Sequence, residues 1–338
     1  MKNLASYAAA VGAALPSGSE NVQIAELSNS SKGPGTGIPW LFCAIQGAKR
    51  DGHNFIPDAI KNGAVAALGA RCPEGLPENF PMLLVSDAHL AWALACEHHF
   101  DNPGRSFSIA GVTGTNGKTT IAFMLKRLLE TIPSSRCGLL STVLYDCGAG
   151  DSVEAARTTP DAYLLQKLLA DCREHSCTHV AMEASSHGIH QHRLGSLKLK
   201  TAIFTNLTGD HLDYHHDMES YYQAKKMLFT GSLASDGLAV INVDDSYGAR
   251  LHRELSKILK PENLAACSKS LPKSACFIKS MRLNDSHSDI ELSISGHSLK
   301  FTSHLIGEHN VYNMASAAAA AIFLGAASER VAEVLGGP

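Results

Sequence analysis

Apolar runs alternate along the chain with stretches in which apolar residues recur at helical spacing. In the first hundred residues the runs predict buried strands at Trp40–Ile45, Val65–Leu68 and Met82–Val85. The intervening stretches predict helices at Phe55–Asn62 and His89–Phe100. We therefore expect a small α/β domain over residues 1–105, with the polar segment Asp101–Arg105 as its closing linker.

A second and larger α/β domain is predicted over residues 106–338. It opens with the apolar run Phe107–Val112, a Gly/Thr-rich turn and the helix Thr119–Glu130, whose apolar side chains share one face. Further strands are predicted at His179–Met182, Thr201–Asn206 and Leu238–Val243, and further helices at Asp161–Glu174, Met218–Phe229 and Asn310–Gly325. Such alternation predicts a mostly parallel sheet with helices on both faces. Residues 289–294 and 298–304, separated by Gly296, predict a short antiparallel hairpin.

The N-terminal run Leu4–Leu15, which follows Lys2, is open to two interpretations. Its alanine-rich composition fits a weak secretory signal peptide or a helix of small residues packed on a sheet. We favour the helix. No apolar stretch reaches the roughly 20 residues that span a membrane.

Composition narrows the classes of partner. With 338 residues, 45% of them hydrophobic, the chain can bury a substantial core, and its net charge of −3 provides no general attraction to nucleic acid or anionic membrane. Nine cysteines without a CxxC pair favour free thiols in a reducing compartment. We expect a cytoplasmic monomer that binds neither nucleic acid nor membrane.

The strongest local signal is the Gly-rich loop Gly111–Thr120, which lies between a predicted strand and a predicted helix. Glycines let backbone amides surround phosphate oxygens, and a helix N-terminus favours negative charge. The predicted ATP-binding residues are Gly114, Thr115, Asn116, Gly117, Lys118, Thr119 and Thr120. Lys118 is expected to reach the β- and γ-phosphates and Thr119 to bind Mg²⁺. Val112 stands where the common phosphate-loop pattern has its first glycine, and the loop does not distinguish a kinase, GTPase, transport ATPase or ligase.

Six further motifs separate these classes. They are Thr158-Thr159-Pro160, Met182–Gly188, Gln191–Arg193, Asn206–His215, Ala224-Lys225 and Gly307–Asn313. In this order, and together with Gly-Thr-Asn-Gly-Lys-Thr-Thr, they resemble the Mur ligases. The match is closest to the branch that adds the third amino acid, typically 2,6-diaminopimelate, to a UDP-muramoyl-dipeptide.

The resemblance implies roles in an ATP-dependent amide ligation that passes through an acyl phosphate. Mg²⁺ would be held by Thr119, Glu183, His211 and Lys225, the last as a CO₂-derived carbamate. Lys118, Lys225 and His211 would act in catalysis, and Asn313 would lie near the adenine. The muramoyl-dipeptide would be held by Thr158, Thr159, Ser185, Gln191 and Arg193, and its uridine nucleotide by Ser28, Ser30 and residues 48–50.

The chain also departs from the family pattern. Asn29-Ser30-Ser31 replaces an Asp-Ser-Arg motif, whereas Asp51-Gly52-His53 is retained. Asp101–Arg105 resembles the diaminopimelate-selecting motif, but its position predicts a linker. The family's third, amine-binding domain would begin where the sequence ends. The resemblance therefore predicts substrate binding without amide formation by this chain alone, and leaves diaminopimelate and lysine open.

Alternatives remain at this point. Glu183 fits an ordinary surface acid, Lys225 beside Lys226 fits a solvated helix face, and His215 and His216 fit polar surface. The histidines at 187, 190 and 192 could form a transition-metal site. A position beside a magnesium-dependent phosphate site explains the segment better. The rival functions are a folylpolyglutamate- or cyanophycin-type ligase and a non-catalytic nucleotide-binding protein.

Overall fold

The computed structural model describes residues 1–35, 37–47, 50–210 and 212–337, which form two compact units. Unit 1 comprises Met1–Pro103 together with Asp161–Lys167 and Gln191–Ser196, and unit 2 comprises the remaining described residues. The division falls inside the segment Asp101–Arg105.

Unit 1 is built on a small parallel sheet. Its strands are β1 (Lys2–Asn3), β2 (Gln23–Ile24), β3 (Glu26–Ser28), β4 (Trp40–Ala44), β5 (Ala64–Gly69) and β6 (Met82–Leu84). Its helices are α1 (Leu4–Val11), α2 (Ile56–Lys61) and α3 (Ala88–His99). Strands β3–β4–β5–β6 pair in parallel in that order, and β1 and β2 form a separate antiparallel pair.

The predicted helix at the N-terminus forms but is shorter than expected. Helix α1 ends at Val11, because Gly12 adopts the left-handed conformation (φ 69°) that terminates helices. Its side chains Leu4 and Tyr7 are fully buried in the core of unit 1.

Unit 2 contains the remaining eleven strands and eight helices of the described residues. The strands are β7 (Ser108–Thr113), β8 (Cys137–Leu140), β9 (Leu144–Asp146), β10 (Ser152–Glu154), β11 (His179–Glu183), β12 (Leu199–Phe204), β13 (Leu233–Asn242), β14 (Leu264–Ser268), β15 (Cys276–Leu283), β16 (Ser288–Ile294) and β17 (His297–Ser303). The helices are α4 (Lys118–Leu129), α5 (Ala162–Glu174), α6 (Ser186–His190), α7 (Leu212–His215), α8 (Met218–Met227), α9 (Ser246–Leu255), α10 (Glu308–Phe323) and α11 (Ser328–Gly336). The first residues of α5 belong to unit 1.

These strands form one sheet in the order β10-β9-β8-β11-β7-β12-β13-β14-β15-β16-β17. The pairs from β8 through β15 are parallel, and antiparallel strands complete both edges. The predicted parallel sheet and hairpin are therefore confirmed. The second antiparallel edge, β9–β10, was not expected, because its strands have only three residues each.

The sheet brings three strand ends together. Strand β7 lies between β11 and β12, so the residues after Thr113, Glu183 and Phe204 share the carboxyl edge of the parallel strands. Open α/β sheets bind ligands at this edge. Within the described residues, no helix has the length and apolarity that crossing a bilayer requires.

Candidate functional site

Two glycines give the loop between β7 and α4 its shape. Gly114 and Gly117 have φ values of 146° and 88°, which disfavour residues with a Cβ atom. A Cβ at Gly114 would lie 1.8 Å from Thr205 Oγ1, and one at Gly117 would lie 2.4 Å from Asn313 Oδ1. Val112 needs no such freedom because it is an internal, buried residue of β7. This explains why the loop departs from the common glycine spacing.

The segment after β12 holds this loop in place. Thr115 N donates to Asn206 O (2.9 Å), and Asn116 N donates to Asn206 Oδ1 (3.1 Å). Thr205 Oγ1 donates to Asn116 O (2.6 Å), and Thr208 N donates to Thr115 Oγ1 (3.0 Å). The loop is thus fixed by contacts with residues about ninety positions later in the chain.

The start of α4 is suited to an anion. Helix α4 begins at Lys118, and Gly117 provides no side-chain cap. Its first amide groups therefore have no partner within the helix, and the helix dipole favours negative charge there. A phosphate group fits this position.

Two lysines converge on one carbonyl group of the loop. Lys118 Nζ donates to Gly114 O (3.0 Å) and Thr115 O (2.8 Å), and Lys225 Nζ, from α8, also donates to Gly114 O (2.8 Å). Lys225 is only 1% exposed, and its Nζ lies 4.5 Å from the centroid of the Tyr221 ring.

This environment disfavours positive charge on both amines. Burial holds the pKa of Lys225 well below its usual value, and the charge of Lys118 lowers it further, while Asp210 opposes the shift. Burial also lowers the pKa of Lys118, against the opposing effect of the Glu183 and Asp210 carboxylates. A larger fraction of the Lys225 amine is therefore uncharged at neutral pH than for a solvated lysine.

The interpretation of Lys225 as a solvated residue is therefore wrong. Its neighbour Lys226 is only partly buried, and forms a 2.8 Å ion pair with Glu254. Contacts of the same kind anchor α8 on α9, since Glu219 accepts two hydrogen bonds from Arg250. The buried face of α8 thus presents Lys225 to the loop while its outer face binds α9.

Glu183 is also held rigidly rather than lying on the surface. It ends β11, is 1% exposed, and accepts hydrogen bonds from Thr142 N (2.8 Å) and Thr142 Oγ1 (3.0 Å). The surface-acid alternative is wrong, because β11 is a central strand whose carboxyl end is enclosed by the β8–β9 connection. Thr142 carries no recognisable sequence motif and was missed for that reason.

The side chains predicted to hold the dipeptide divide between the units. In unit 2, Thr158 Oγ1 lies 3.1 Å from Thr142 Oγ1, and Thr159 Oγ1 lies 3.0 Å from Ser185 Oγ and donates to Glu183 O (2.9 Å). Thr158, Thr159 and Ser185 thus adjoin Glu183. Gln191 and Arg193 belong to unit 1, where the Arg193 guanidinium donates two hydrogen bonds to Gln191 Oε1 (2.8 and 3.1 Å).

The available donors suit a hard divalent cation. Glu183 offers a fixed carboxylate and Thr119 a hydroxyl, which are the oxygen ligands that Mg²⁺ prefers. Lys225 fits such a site only as an anionic carbamate, because an ammonium group repels the cation. His211 lies outside the described residues, so its ligation stays a prediction.

A cavity of about 630 Å³ adjoins the loop. Its lining includes the predicted residues Asn116, Gly117 and Asn313. It also includes Asn242 and Tyr312, which sequence reasoning missed. Asn242 is the polar residue that ends the apolar strand β13, and its Nδ2 donates to Thr205 O (2.9 Å); that change from apolar to polar was the available signal.

The predicted uridine residues in unit 1 form a local turn. Ser28 Oγ donates to Ser30 O (3.0 Å) and accepts from Ser30 N (3.0 Å), and Ser30 is exposed. Ser28 also lines a cavity of about 350 Å³ with Glu26, Trp92 and Tyr163. Of residues 48–50, the first two lie outside the described residues.

The retained Asp51-Gly52-His53 motif has a structural explanation. His53 is 3% exposed, its Nδ1 lies 2.6 Å from Asp51 Oδ1, and its Nε2 accepts from Ala70 N (2.9 Å). Arg71 also donates to Asp51 (2.8 Å), and these hydrogen bonds hold the pKa of the carboxyl far below its usual value. The motif therefore joins the end of β4 to the end of β5.

The histidines of the central motifs do not share one arrangement. His187, His190, Tyr214, His215 and Tyr221 form contacts between rings, with centroids 4.0 Å apart for the closest pair, His187 and Tyr214. The prediction that His215 lies on the surface is wrong: it is 4% exposed, because its ring packs against Tyr221. His192 instead lies in unit 1, 3.6 Å from Asp87.

Comparison with known proteins identifies the family. The description "Mur ligase middle domain" matches residues 112–321, from the phosphate-loop strand into α10. The chain belongs to the Mur ligase family. This confirms the resemblance inferred from the motifs.

Individual relatives agree with this assignment. The chain is 37% identical over 317 residues to the UDP-N-acetylmuramoyl-L-alanyl-D-glutamate–2,6-diaminopimelate ligase of Gloeobacter violaceus, covering 94% of this chain and 62% of that protein. It is 36% identical to the enzyme of that name from Cytophaga hutchinsonii, covering 86% and 57%. A solved structure of a ligase of that name aligns with a TM-score of 0.82 and 25% identity, covering 100% of this chain and 68% of the other. The chain thus spans about three-fifths of the length of these curated relatives.

Proposed function

We propose that this Mur ligase chain carries the ATP- and UDP-substrate-binding parts of a peptidoglycan-precursor ligase. The ligase adds the third residue to UDP-N-acetylmuramoyl-L-alanyl-D-glutamate. Unit 1 would be the UDP-substrate part predicted over 1–105, and unit 2 the ATP-binding part predicted over 106–338. Unit 1 also includes Asp161–Lys167 and Gln191–Ser196, which the prediction placed in the ATP-binding domain. The observation that carries the proposal is the convergence of Lys118 and buried Lys225 on Gly114 O beside the start of α4.

ATP binds with its phosphates at the start of α4 and its adenosine in the cavity lined by Asn313. Thr115 and Asn116 already use their amides within the protein, so the phosphate contacts come from Gly117, Lys118, Thr119 and Thr120. Lys118 leaves Gly114 O for the β- and γ-phosphates, where its charge stabilises phosphoryl transfer.

Glu183, Thr119 and His211 supply ligands for Mg²⁺, which neutralises phosphate charge when it is bound. Lys225 completes this set as a carbamate. Its uncharged amine nitrogen adds to the carbon of CO₂ and loses a proton, which converts a neutral amine into an anionic carbamate. Burial favours this reaction because it depresses protonation of the amine.

The substrate side completes the reaction. Thr158, Thr159 and Ser185, together with Gln191 and Arg193, hold the muramoyl-dipeptide, while Ser28 and Ser30 contact its uridine nucleotide. A D-glutamyl carboxylate oxygen attacks the γ-phosphorus and ADP leaves. The incoming amine then attacks the acyl carbon, phosphate leaves, and the new amide forms.

The proposed amine donor is meso-diaminopimelate. The names of the relatives specify 2,6-diaminopimelate for those proteins. The protein would act in the cytoplasm as a monomer, with the UDP-dipeptide, ATP and the amino acid as its partners.

A turnover assay tests this function. The chain, and a version extended to the length of its relatives, would be given the UDP-dipeptide, ATP, Mg²⁺ and either diaminopimelate or lysine. We expect the extended protein to release ADP and form the tripeptide product with diaminopimelate. The 338-residue chain should bind ATP and the UDP-dipeptide. Its rate of product formation should lie well below about 1 s⁻¹, since rapid turnover needs a closed, water-free site.

Other outcomes distinguish the rival functions. Product with lysine alone would correct the amino acid. ATP turnover that requires a folate and glutamate would favour the folylpolyglutamate type, and ADP and ATP binding without dipeptide binding would favour a nucleotide-binding protein.

A further inference from the structure

Three thiols lie together in unit 2, at the end of β11 opposite to Glu183. Cys147 follows β9, Cys172 lies near the end of α5, and Cys177 precedes β11. Cys172 and Cys177 are 0% and 6% exposed, while Cys147 is partly exposed. The proposed ligase reaction uses none of them.

The C-terminal turn of α5 brings two of these thiols into contact. Cys177 N donates to Cys172 O (2.9 Å), Ser176 N donates to Arg173 O (3.0 Å), and Ser176 has the left-handed φ of 57°. These are the two hydrogen bonds of a Schellman motif, in which the side chains five positions apart pack against each other. Both of those side chains are cysteines here.

Glycines make room for this pair. A Cβ at Gly138 would lie 2.7 Å from Cys172 Sγ, and a Cβ at Gly148 would lie 2.8 Å from Cys177 Sγ. Cys177 Sγ lies 3.4 Å from Cys147 O, towards which its thiol is directed. The two sulfur atoms are thus enclosed by the backbone of β8 and of the turn after β9.

The surroundings make the two thiols chemically unequal. A hydrogen bond from Cys172 lowers the pKa of Cys177, and the charges of Lys126 and Arg136 add to this effect. Hydrogen bonds with Cys147 and Cys177 raise the pKa of Cys172. Cys177 is therefore the better nucleophile, and Cys172 retains its proton.

We propose that Cys172 and Cys177 form a redox-active dithiol that a hydroperoxide converts to an internal disulfide. The Cys177 thiolate attacks a peroxide oxygen and breaks the O–O bond, which gives a sulfenic acid on Cys177. With hydrogen peroxide the leaving group is hydroxide, which takes up the proton that the Cys177 thiol released on ionising. The Cys172 sulfur then attacks the Cys177 sulfur, its proton goes to the departing oxygen, and water leaves. Two electrons pass from the dithiol to the peroxide, and with hydrogen peroxide the oxygen ends as two molecules of water.

A second pair of thiols serves as an internal control. Cys267 and Cys276 are neighbours on β14 and β15 with sulfur atoms 3.3 Å apart, but both are fully buried beneath α10. Burial and the hydrogen bond between them raise the pKa of Cys276. This second pair therefore tests whether neighbouring thiols are enough for oxidation, since both of its sulfur atoms are fully buried and the pKa of Cys276 is raised rather than lowered.

The test maps disulfides in the folded protein. A Cys72→Ser background removes an exposed thiol that would react with other molecules. The protein would be exposed to hydrogen peroxide, unfolded in alkylating reagent and digested for peptide mass analysis. We expect a Cys172–Cys177 disulfide that dithiothreitol reverses, with Cys267 and Cys276 recovered as alkylated thiols.

Variants then assign the roles. Cys172→Ser should leave a sulfenic acid on Cys177 that dimedone traps, Cys177→Ser should abolish the disulfide, and Cys267→Ser should leave it unchanged. Full alkylation of both Cys172 and Cys177 after peroxide, or a Cys147–Cys172 disulfide in their place, would overturn the proposal. The mapping in the Cys72→Ser background decides this even if a variant of the pair fails to fold.

Discussion

The phosphate-loop region of unit 2 and the serine turn of unit 1 show two different ways of presenting polar groups. In unit 2, Glu183 and Lys225 are buried, and residues distant in sequence fix their positions. In unit 1, Ser28 and Ser30 bond chiefly to each other, and Ser30 is exposed.

The two regions differ in whether folding or ligand binding fixes the positions of the polar groups. A buried charged group is expensive unless the fold provides partners, so the unit 2 site is organised before any ligand arrives. A local serine turn can instead exchange its hydrogen bonds for water at little cost. Substitutions should therefore have large effects in unit 2 and small effects in unit 1.

The largest expected effect is that of Lys118→Ala. ATP affinity should fall by at least about 100-fold, because a charge-assisted contact with the phosphates is lost. Calorimetry would measure it, with Lys279→Ala on the outer face of β15 as the control. Unchanged affinity in a folded Lys118→Ala protein would remove the loop from ATP binding.

Lys225→Ala should abolish ligase activity in the extended protein while ATP still binds. A short carboxylate added to the assay should restore part of the activity, since it can replace the carbamate. Lys226→Ala, which alters only a partly exposed ion pair with Glu254, should retain nearly all activity. Full activity of the alanine variant at position 225 would exclude it from the mechanism.

Lys225→Met should make the protein more stable at pH 7, because a buried amine whose charged form is disfavoured is replaced by an apolar chain. The pKa of Lys225 is lower in the folded protein than in the unfolded chain. Stability of the parent therefore rises as pH increases between these two pKa values, and the advantage of methionine should shrink towards pH 10. Urea unfolding in CO₂-free buffer measures this, and a pH-independent difference would contradict it.

Thr142→Val should raise the Mg²⁺ concentration needed for half-maximal ATP turnover by about tenfold. The change removes one hydrogen bond to Glu183, worth about 1–1.5 kcal/mol, but keeps the side-chain shape. Thr131→Val, which loses a hydroxyl bond at the far end of α4, is the matched control. Equal effects of the two changes would show that only stability was altered.

The smallest effect is expected for Ser30→Ala. Affinity for the UDP-dipeptide should change by less than about threefold, because the Ser30 backbone makes both hydrogen bonds to Ser28 Oγ and is unaffected. A loss of affinity as large as that expected for Lys118→Ala would show that the two regions do not differ in this way.

The sequence predicted the parts of this fold that repeat a strong pattern. Long apolar strands and the helix after the glycine loop were predicted. The short strands β3, β9 and β10 were missed because they carry little periodicity, and the strands β8, β14 and β15 and the helix α9 were missed as well. The loop and Glu183 were predicted from chemistry that requires particular residue types.

The burial of Lys225 and the ring packing of His215 were not predictable in the same way. Both depend on Tyr221, whose contacts exist only after α8 packs on the loop and on α7. Thr142 was missed because its role comes from its place in a connection and not from its side-chain type.

The bond partners of the phosphate loop also set an order of events during protein synthesis. Asn206, which holds Thr115 and Asn116, is translated about ninety residues after the loop, and Asn313, which packs against Gly117, about two hundred residues after it. At about 5–20 residues per second, a ribosome needs on the order of 10–40 s to complete that interval. During this time the loop lacks the contacts that shape it, so a nascent chain that stops before Asn206 is translated would display the full Gly-Thr-Asn-Gly-Lys-Thr sequence without a preformed nucleotide site.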